Sequence, residues 1–177
     1  MIKTVTINDN NFTLAATGGM ITIYKQQFGT EYYEDLEEIS TASQESTKKS
    51  LYNAYKLIWS MSKAADNSIT DPDNWINSYK EFPLLQLIPH ALDILTKSFS
   101  QITKDEDAET DGEKMTAENL VACCLACGMS IADINNLDIG FLINSVSEYV
   151  KIKNGGASHS TNKVHIRKAT QADMDAF

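Results

Sequence analysis

At 177 residues with 42% apolar side chains, the chain suits one domain, or a domain with a small satellite, and carries enough apolar surface for a real core. A formal net charge of -9 argues against general nucleic-acid affinity, which comes from clustered Lys and Arg displacing the counterions of a phosphate backbone. Residues 1–6 have no apolar signal core, and no later run approaches the roughly 18 apolar residues that cross a bilayer, so the expectation is a cytoplasmic protein without a membrane partner.

Residues 4–7 and 12–15 alternate apolar with polar side chains around the turn formers of 8–11, the pattern of a β-hairpin. Gly18-Gly19 is read as a chain break ahead of a helix over 20–28, with Met20, Ile23, Tyr24 and Phe28 on its buried stripe and Gly29 as its C-terminal cap. A short acidic, aromatic helix over 31–39 follows, centred on Tyr33 and Leu36. The strongest periodicity lies in 45–65, where Leu51, Ala54, Tyr55, Ile58, Met61 and Ala65 recur at steps of three and four, with Tyr52 and Trp59 alongside. Asp71-Pro72 is a helix start, because Asp accepts free amide protons and Pro presets the first helical angle; Trp75, Ile76 and Tyr79 supply its buried side. Phe82-Pro83 ends or kinks that helix, and residues 84–99 form a largely buried one in which Pro89 implies a kink or a late start.

Residues 104–114 carry like charges and no large apolar side chain, so they are expected to be an acidic hinge; they lack the oxygen-ligand alternation and closing Glu of an EF-hand loop. Beyond it, Thr116 caps a helix running to about Gly128, Ser130 with Asp133 resembles a capping box, and 139–152 is a third helix. The expected organisation is therefore mainly α: a body at 1–103 with an N-terminal hairpin, a linker at 104–114, a small three-helix unit at 115–153 and a flexible tail at 154–177.

Three chemical readings compete within the second half. Cys123, Cys124 and Cys127 contain a Cys-x-x-Cys, but no second Cys or His pair lies at zinc-finger distance, and their spacing fits small core side chains on one helix face. The stretch 125–134 looks like a helix-turn-helix around Gly128, the basis of an alternative reading as a small DNA-binding regulator; Asp133, Asn135, Asn136 and Asp138, however, offer no cation to DNA. The last stretch joins a Gly155-Gly156-Ala157-Ser158-His159-Ser160-Thr161-Asn162 spacer to residues 167–177, which as about three helical turns would present Ala172, Met174 and Phe177 to a partner. With no Gly-rich phosphate loop, His-Glu-x-x-His or Gly-x-Ser-x-Gly motif, the chain is expected to be non-enzymatic, with no cofactor and no metal.

The hairpin leading into the segment 18–29, the Trp75 helix, the segment 115–130 and the closing 167–177, taken in order, resemble the tail assembly chaperones of siphovirus-type bacteriophages, particularly those of Gram-positive hosts. The resemblance implies an assembly factor of the host cytoplasm, absent from the finished virion, that coats the tape measure protein and delivers tail tube subunits to it. It also implies the long member of a lambda-type pair made by ribosomal frameshifting; Glu113-Lys114-Met115 is encodable as a slippery run of adenines. By the family's division of labour, 1–113 would hold the tape measure protein and 115–177 would recruit tube subunits. Within the tail, Arg167 and Lys168 are the expected cationic contacts, and Met174 and Phe177 the expected apolar anchors. Whether the free protein is a monomer or a homo-oligomeric ring stays open.

Overall fold

The computed structural model describes residues 1–41, 48–100 and 116–153, without the side chains of 40 and 41; among these it is mainly α, with eight helices and one two-stranded sheet. The acidic segment 104–114, the first three residues of the helix expected at 45–65, and the tail with Arg167, Lys168, Met174 and Phe177 lie outside the described residues.

Strands β1 (Ile2–Ile7) and β2 (Asn10–Ala15) pair antiparallel, Ile2 opposite Ala15 and Ile7 opposite Asn10. The turn is tighter than the four residues anticipated: Asn8 and Asp9 alone make it, at φ 50° and 62°. These are the non-glycine residues that enter left-handed backbone most readily, and such a turn matches the twist of the strands. Phe12 on β2 then meets the rings of Trp75, Tyr79 and Phe82, at centroid distances of 6.5, 5.1 and 6.0 Å. That cluster seats the short helix α4 (Pro72–Asn77), which begins as expected, with Asp71 accepting the Asn74 N–H at 3.1 Å.

Gly18 and Gly19 do not break the chain; they are the first two residues of α1 (Gly18–Phe28). Both are used for close approach. A Cβ on Gly18 would stand 2.5 Å from the Ile134 carbonyl oxygen and 2.5 Å from Leu142 Cδ1, and one on Gly19 would stand 2.9 Å from the Asn135 carbonyl oxygen. The buried stripe of α1 accordingly begins at the glycines and runs through Met20, Ile21 and Tyr24, while Ile23 and Phe28 are only half-buried. Gly29 caps the helix in left-handed backbone, donating its N–H to the Lys25 carbonyl.

Helix α2 (Tyr32–Thr41), centred as expected near Tyr33 and Leu36, buries Tyr32 and Asp35 and leaves Tyr33 and Leu36 half-covered. Helix α3 (Lys48–Ala65) is the axis of the fold. A single apolar stripe was expected, but every residue from Asn53 to Ser62 is buried, because α1, α2, β2 and α5 surround it. Helix α5 (Leu84–Phe99) starts directly after Pro83, with Pro89 inside it. Its buried face is Leu87, Ala91, Ile94, Leu95 and Ser98, a narrower stripe than predicted, and Leu85 is exposed.

Helices α6 (Ala117–Ala126), α7 (Ile131–Asn136) and α8 (Ile139–Lys153) form where the caps placed them. Thr116 accepts the Asn119 N–H, and Ser130 and Asp133 make the reciprocal capping box. Between α6 and α7, Gly128 at φ 86° allows its own N–H to reach the Leu125 carbonyl and the Met129 N–H to reach the Cys124 carbonyl, the closing pattern of a left-handed helix end. These three helices share one core with the rest: Leu120, Cys124, Ile134, Ile139, Leu142 and Val146 join the same buried cluster as Met20, Ile58 and Leu87. A separate satellite was anticipated because the polar segment before it has nothing to pack. The covering surface comes instead from α1 and α5, distant in sequence.

Asp138 fastens this join. Its carboxylate pairs with the Met1 ammonium, accepts the Ser98 hydroxyl at 2.7 Å and accepts the Gly140 N–H at 3.0 Å, while Thr17 and Asp138 form an isolated antiparallel bridge. Replacing Gly18 with Ala tests the close packing by sign. Helix propensity alone favours Ala by about 1 kcal/mol, whereas overpacking costs about 1–3 kcal/mol. Urea unfolding of Gly18→Ala is expected to show a net loss of about 1 kcal/mol, and up to about 2 kcal/mol where the backbone contact cannot relax.

Candidate functional site

The most unusual chemistry in the molecule is a buried charge cluster. Lys56, 3% exposed on α3, forms an ion pair with Asp35 of α2, 8% exposed, and also donates to the Thr30 hydroxyl at 3.1 Å. Asp35 further accepts the Tyr24 hydroxyl at 2.6 Å and the Thr30 hydroxyl at 2.7 Å. The ammonium lies 5.2 Å from the Tyr24 ring centroid and 5.4 Å from that of Tyr52, within the range of cation–π attraction. Burial works to raise the Asp35 carboxyl, but hydrogen bonds from Lys56, Tyr24 and Thr30 together hold it below the ordinary carboxylate value. Burial, and then the bond to Asp35, push the Tyr24 phenol far upward. Every member is partnered by another, so the cluster joins α1, α2 and α3 and offers little to a ligand.

The open chemistry lies on the other side of α1. A groove of about 320 Å³ runs between α1 and α6, floored by Ala117, Val121 and Ala122 and edged by Leu125. A second, of about 450 Å³, runs between α1, the end of α3 and α7; Ile23, Ala64 and Ile131 line it together with the polar Lys63, Asn67, Asn135 and Asn136. Both grooves include Thr22 and Gln26, so these residues, one helical turn apart, form a ridge with a groove on each side. Leu125 is 46% exposed and Ile131 53% exposed, one on each side of the Gly128 turn. Exposed apolar residues are common on any surface; these two differ in standing at the rims of adjoining grooves. A third groove, also about 320 Å³, lies between α2 and α5 over Leu36, Leu92 and Phe99, without an exposed large apolar rim.

The α1–α6 groove has an acidic edge. Glu31 pairs with Lys25 and also accepts the Ala117 N–H at 3.2 Å, placing a carboxylate at the start of α6. The hydrogen bond to Glu31 pushes the Lys25 ammonium above its ordinary value against desolvation, and the charges of Glu31, Glu118 and Glu34 push in the same direction. One cation thus sits among three carboxylates.

The three cysteines do not share one environment. Cys124 is buried, Cys127 is half-buried and Cys123 is exposed, a correction to their reading as a common core face. The buried face of α6 follows Ala117, Leu120 and Cys124, which leaves the residue before Cys124 about 100° away, on the outer side. Burial pushes the Cys124 thiol up to about 11, so it stays protonated at neutral pH. Among the described residues, no cluster of three or more His, Cys, Asp and Glu side chains is arranged to hold a metal. The helix-turn-helix outline exists as α6 and α7, but α7 packs its Ile134 and Asn135 backbone on the glycines of α1, and its exposed side carries Asp133, Asn135 and Asn136. No described helix is long and apolar enough to cross a membrane. No family model matches the chain, and no curated protein or solved structure matches it.

The grooves escaped sequence reasoning because their walls join α1 to residues about a hundred positions away; exposed Leu125 and Ile131 flanking a turn glycine were the local trace. The charge cluster makes its own prediction. Lys56→Met leaves a buried unpaired carboxylate and is expected to cost about 3–5 kcal/mol, with most of that regained by chemical denaturation only in Lys56→Met/Asp35→Leu/Tyr24→Phe, which also removes the hydroxyl that Asp35 accepts. A further expectation concerns acid. Asp35 and Asp138 are held low when folded, Asp138 by the Met1 ammonium, Ser98 and the Gly140 N–H against its burial. Their stabilisation is therefore full above the unfolded carboxyl value of about 3.9 and is lost as pH falls through the lower folded values. Unfolding midpoints recorded from pH 6 downward should hold to about pH 4 and then drop.

Proposed function

We propose that this chain is a non-enzymatic, protein-holding assembly factor of the tail-assembly-chaperone kind, which seats helical segments of the tape measure protein across α1, α6 and α7 and brings tail tube subunits to them through residues 154–177. The observation that carries the reading is the Thr22–Gln26 ridge with an apolar-rimmed groove on each side. Rows of side chains four residues apart on one helix pack into the grooves of another, so such a surface fits an amphipathic helix better than a small molecule or an extended strand. A tape measure protein is a long helical chain whose apolar stripes need cover before the tube encloses them.

One point departs from the family's division of labour. Thr22 and Gln26 precede the acidic segment while Val121 and Leu125 follow it, so both stretches contribute to a single holding surface. The DNA-binding alternative has less support, since the second helix of the helix-turn-helix is spent on packing against α1 and exposes no Lys or Arg.

Two variants test the reading. Leu125→Gln/Ile131→Gln alters exposed positions only, so stability should stay within about 0.5 kcal/mol, while co-purification of a tape measure fragment should fall at least about tenfold, the effect of losing about 1.4 kcal/mol. Phe141→Gln, equally exposed but on α8, should leave capture unchanged. Undiminished capture by the double variant would sink the proposed surface. Removing 154–177 should leave a cooperative unfolding transition in the remaining chain and abolish capture of tube protein.

A further inference from the structure

We infer that, when no client is held, the α1–α6 groove is filled by the chain's own segment 164–177, and that client entry releases this segment. Two observations carry the docking. The first is complementarity. The groove has an apolar floor at Val121 and Ala122, Glu118 on its edge, and Lys25 beside it paired with Glu31 and close to Glu34, so carboxylates outnumber the one cation; the segment carries Arg167 and Lys168 ahead of Met174 and Phe177, with Asp173 and Asp175 on either side of Met174 as partners for Lys25. Cations against the carboxylate edge and apolar anchors on the floor satisfy both parts of the groove at once.

The second is reach. Helix α8 ends at Lys153. Ten extended residues beyond it span about 33 Å, whereas a domain of this size has a radius of gyration of about 14 Å. A tethered segment is present at its own domain at a millimolar effective concentration. An intrinsic affinity as weak as about 1 mM therefore fills the groove for about half the time, and a client that binds at micromolar levels displaces it.

The consequence for function rests on the client-holding reading: competition for one groove couples two binding events. Residues 164–177 become available to a tube subunit where a client helix already fills the groove, and because the coupling is reciprocal, a tube subunit that captures the segment also frees the groove for client. Tube subunits are then gathered on the tape measure protein in preference to free chaperone.

The test uses the full chain with p-benzoylphenylalanine replacing Ala122 on the groove floor, irradiated alone at low micromolar concentration and digested with trypsin. The expected result is an intramolecular cross-link to the peptide 169–177, lost in Met174→Ser/Phe177→Ser, and at least about fivefold weaker when a tape measure fragment is added at saturation. The same probe replacing Phe141 should give none. Amide exchange over 117–126 should be faster in Met174→Ser/Phe177→Ser than in the unmodified chain, a readout that needs no probe. Absence of the cross-link together with unchanged exchange overturns the docking, as do equal yields from positions 122 and 141. Cross-links found only between isotopically distinct copies overturn it in favour of a second copy as the occupant. A cross-link that persists at full strength while the fragment co-purifies overturns the displacement. A cross-link that forms normally with a fragment that does not bind supports the docking and overturns the client reading alone.

Discussion

The contact between the two glycines at the start of α1 and the backbone of α7 is the constraint on which the rest of the arrangement depends. A side chain at either position would stand within 3 Å of a carbonyl oxygen of α7, so only hydrogen lets the helices meet there. With that contact made, α6 is drawn alongside α1, the space between them becomes the first groove, and the second opens at the edge of the contact itself, where Gly19 and Asn135 line it. Asp138 holds the same junction by gathering the Met1 ammonium, the Ser98 hydroxyl and the Gly140 N–H on one carboxylate. Stretches separated by the acidic segment thus share a core.

Stability and recognition are kept on opposite sides of α1. Its buried side meets α3 through Tyr24, whose hydroxyl enters the Lys56–Asp35 cluster. A buried ion pair is a weak source of net stability, because desolvation offsets most of the attraction. Its geometric demand is strict, however: the Tyr24 hydroxyl of α1, the Thr30 hydroxyl of the turn before α2 and the Lys56 ammonium of α3 must converge on one carboxylate. That demand fixes the rotation of α1 about its axis. With Tyr24 turned inward, Thr22 and Gln26, two residues before and after it, are turned outward as the ridge. The orientation of the exposed surface is therefore a consequence of the buried polar one.

Features set by neighbours in sequence were legible; those set by distant partners were not. Asp71-Pro72, Thr116, and Ser130 with Asp133 announce helix starts because a cap needs only side chain and backbone within one turn. The Asn8-Asp9 hairpin is legible for the same reason. Gly18-Gly19 misled because glycine has two uses, and a pair of them reads as flexibility until the opposing backbone is known. The all-round burial of α3 was hidden likewise: Asn53, Lys56, Ser60 and Ser62 look like a polar face, and their burial follows from helices packed around them. Cys123 was misplaced because spacing gives a helical face but not which face is covered. The candidate grooves lay furthest from view, since no window of sequence contains both Gln26 and Leu125.

The size of the exposed surface limits how the proposed holding could work. Leu125 and Ile131 are already about half covered, so burying the remainder contributes about 0.75–1.5 kcal/mol each, half the value for a fully buried aliphatic side chain. Fixing two molecules together costs about 4–15 kcal/mol before any gain appears. One groove cannot hold one free helix tightly on these terms. A long client with repeated apolar stripes changes the balance, because once one copy is seated, each further contact is made at high local concentration. Many weak sites then give a coat that is stable as a whole while each copy remains individually exchangeable. A factor that must cover its client and then give way to tube subunits needs that combination, and a single deep pocket with strong affinity would defeat it.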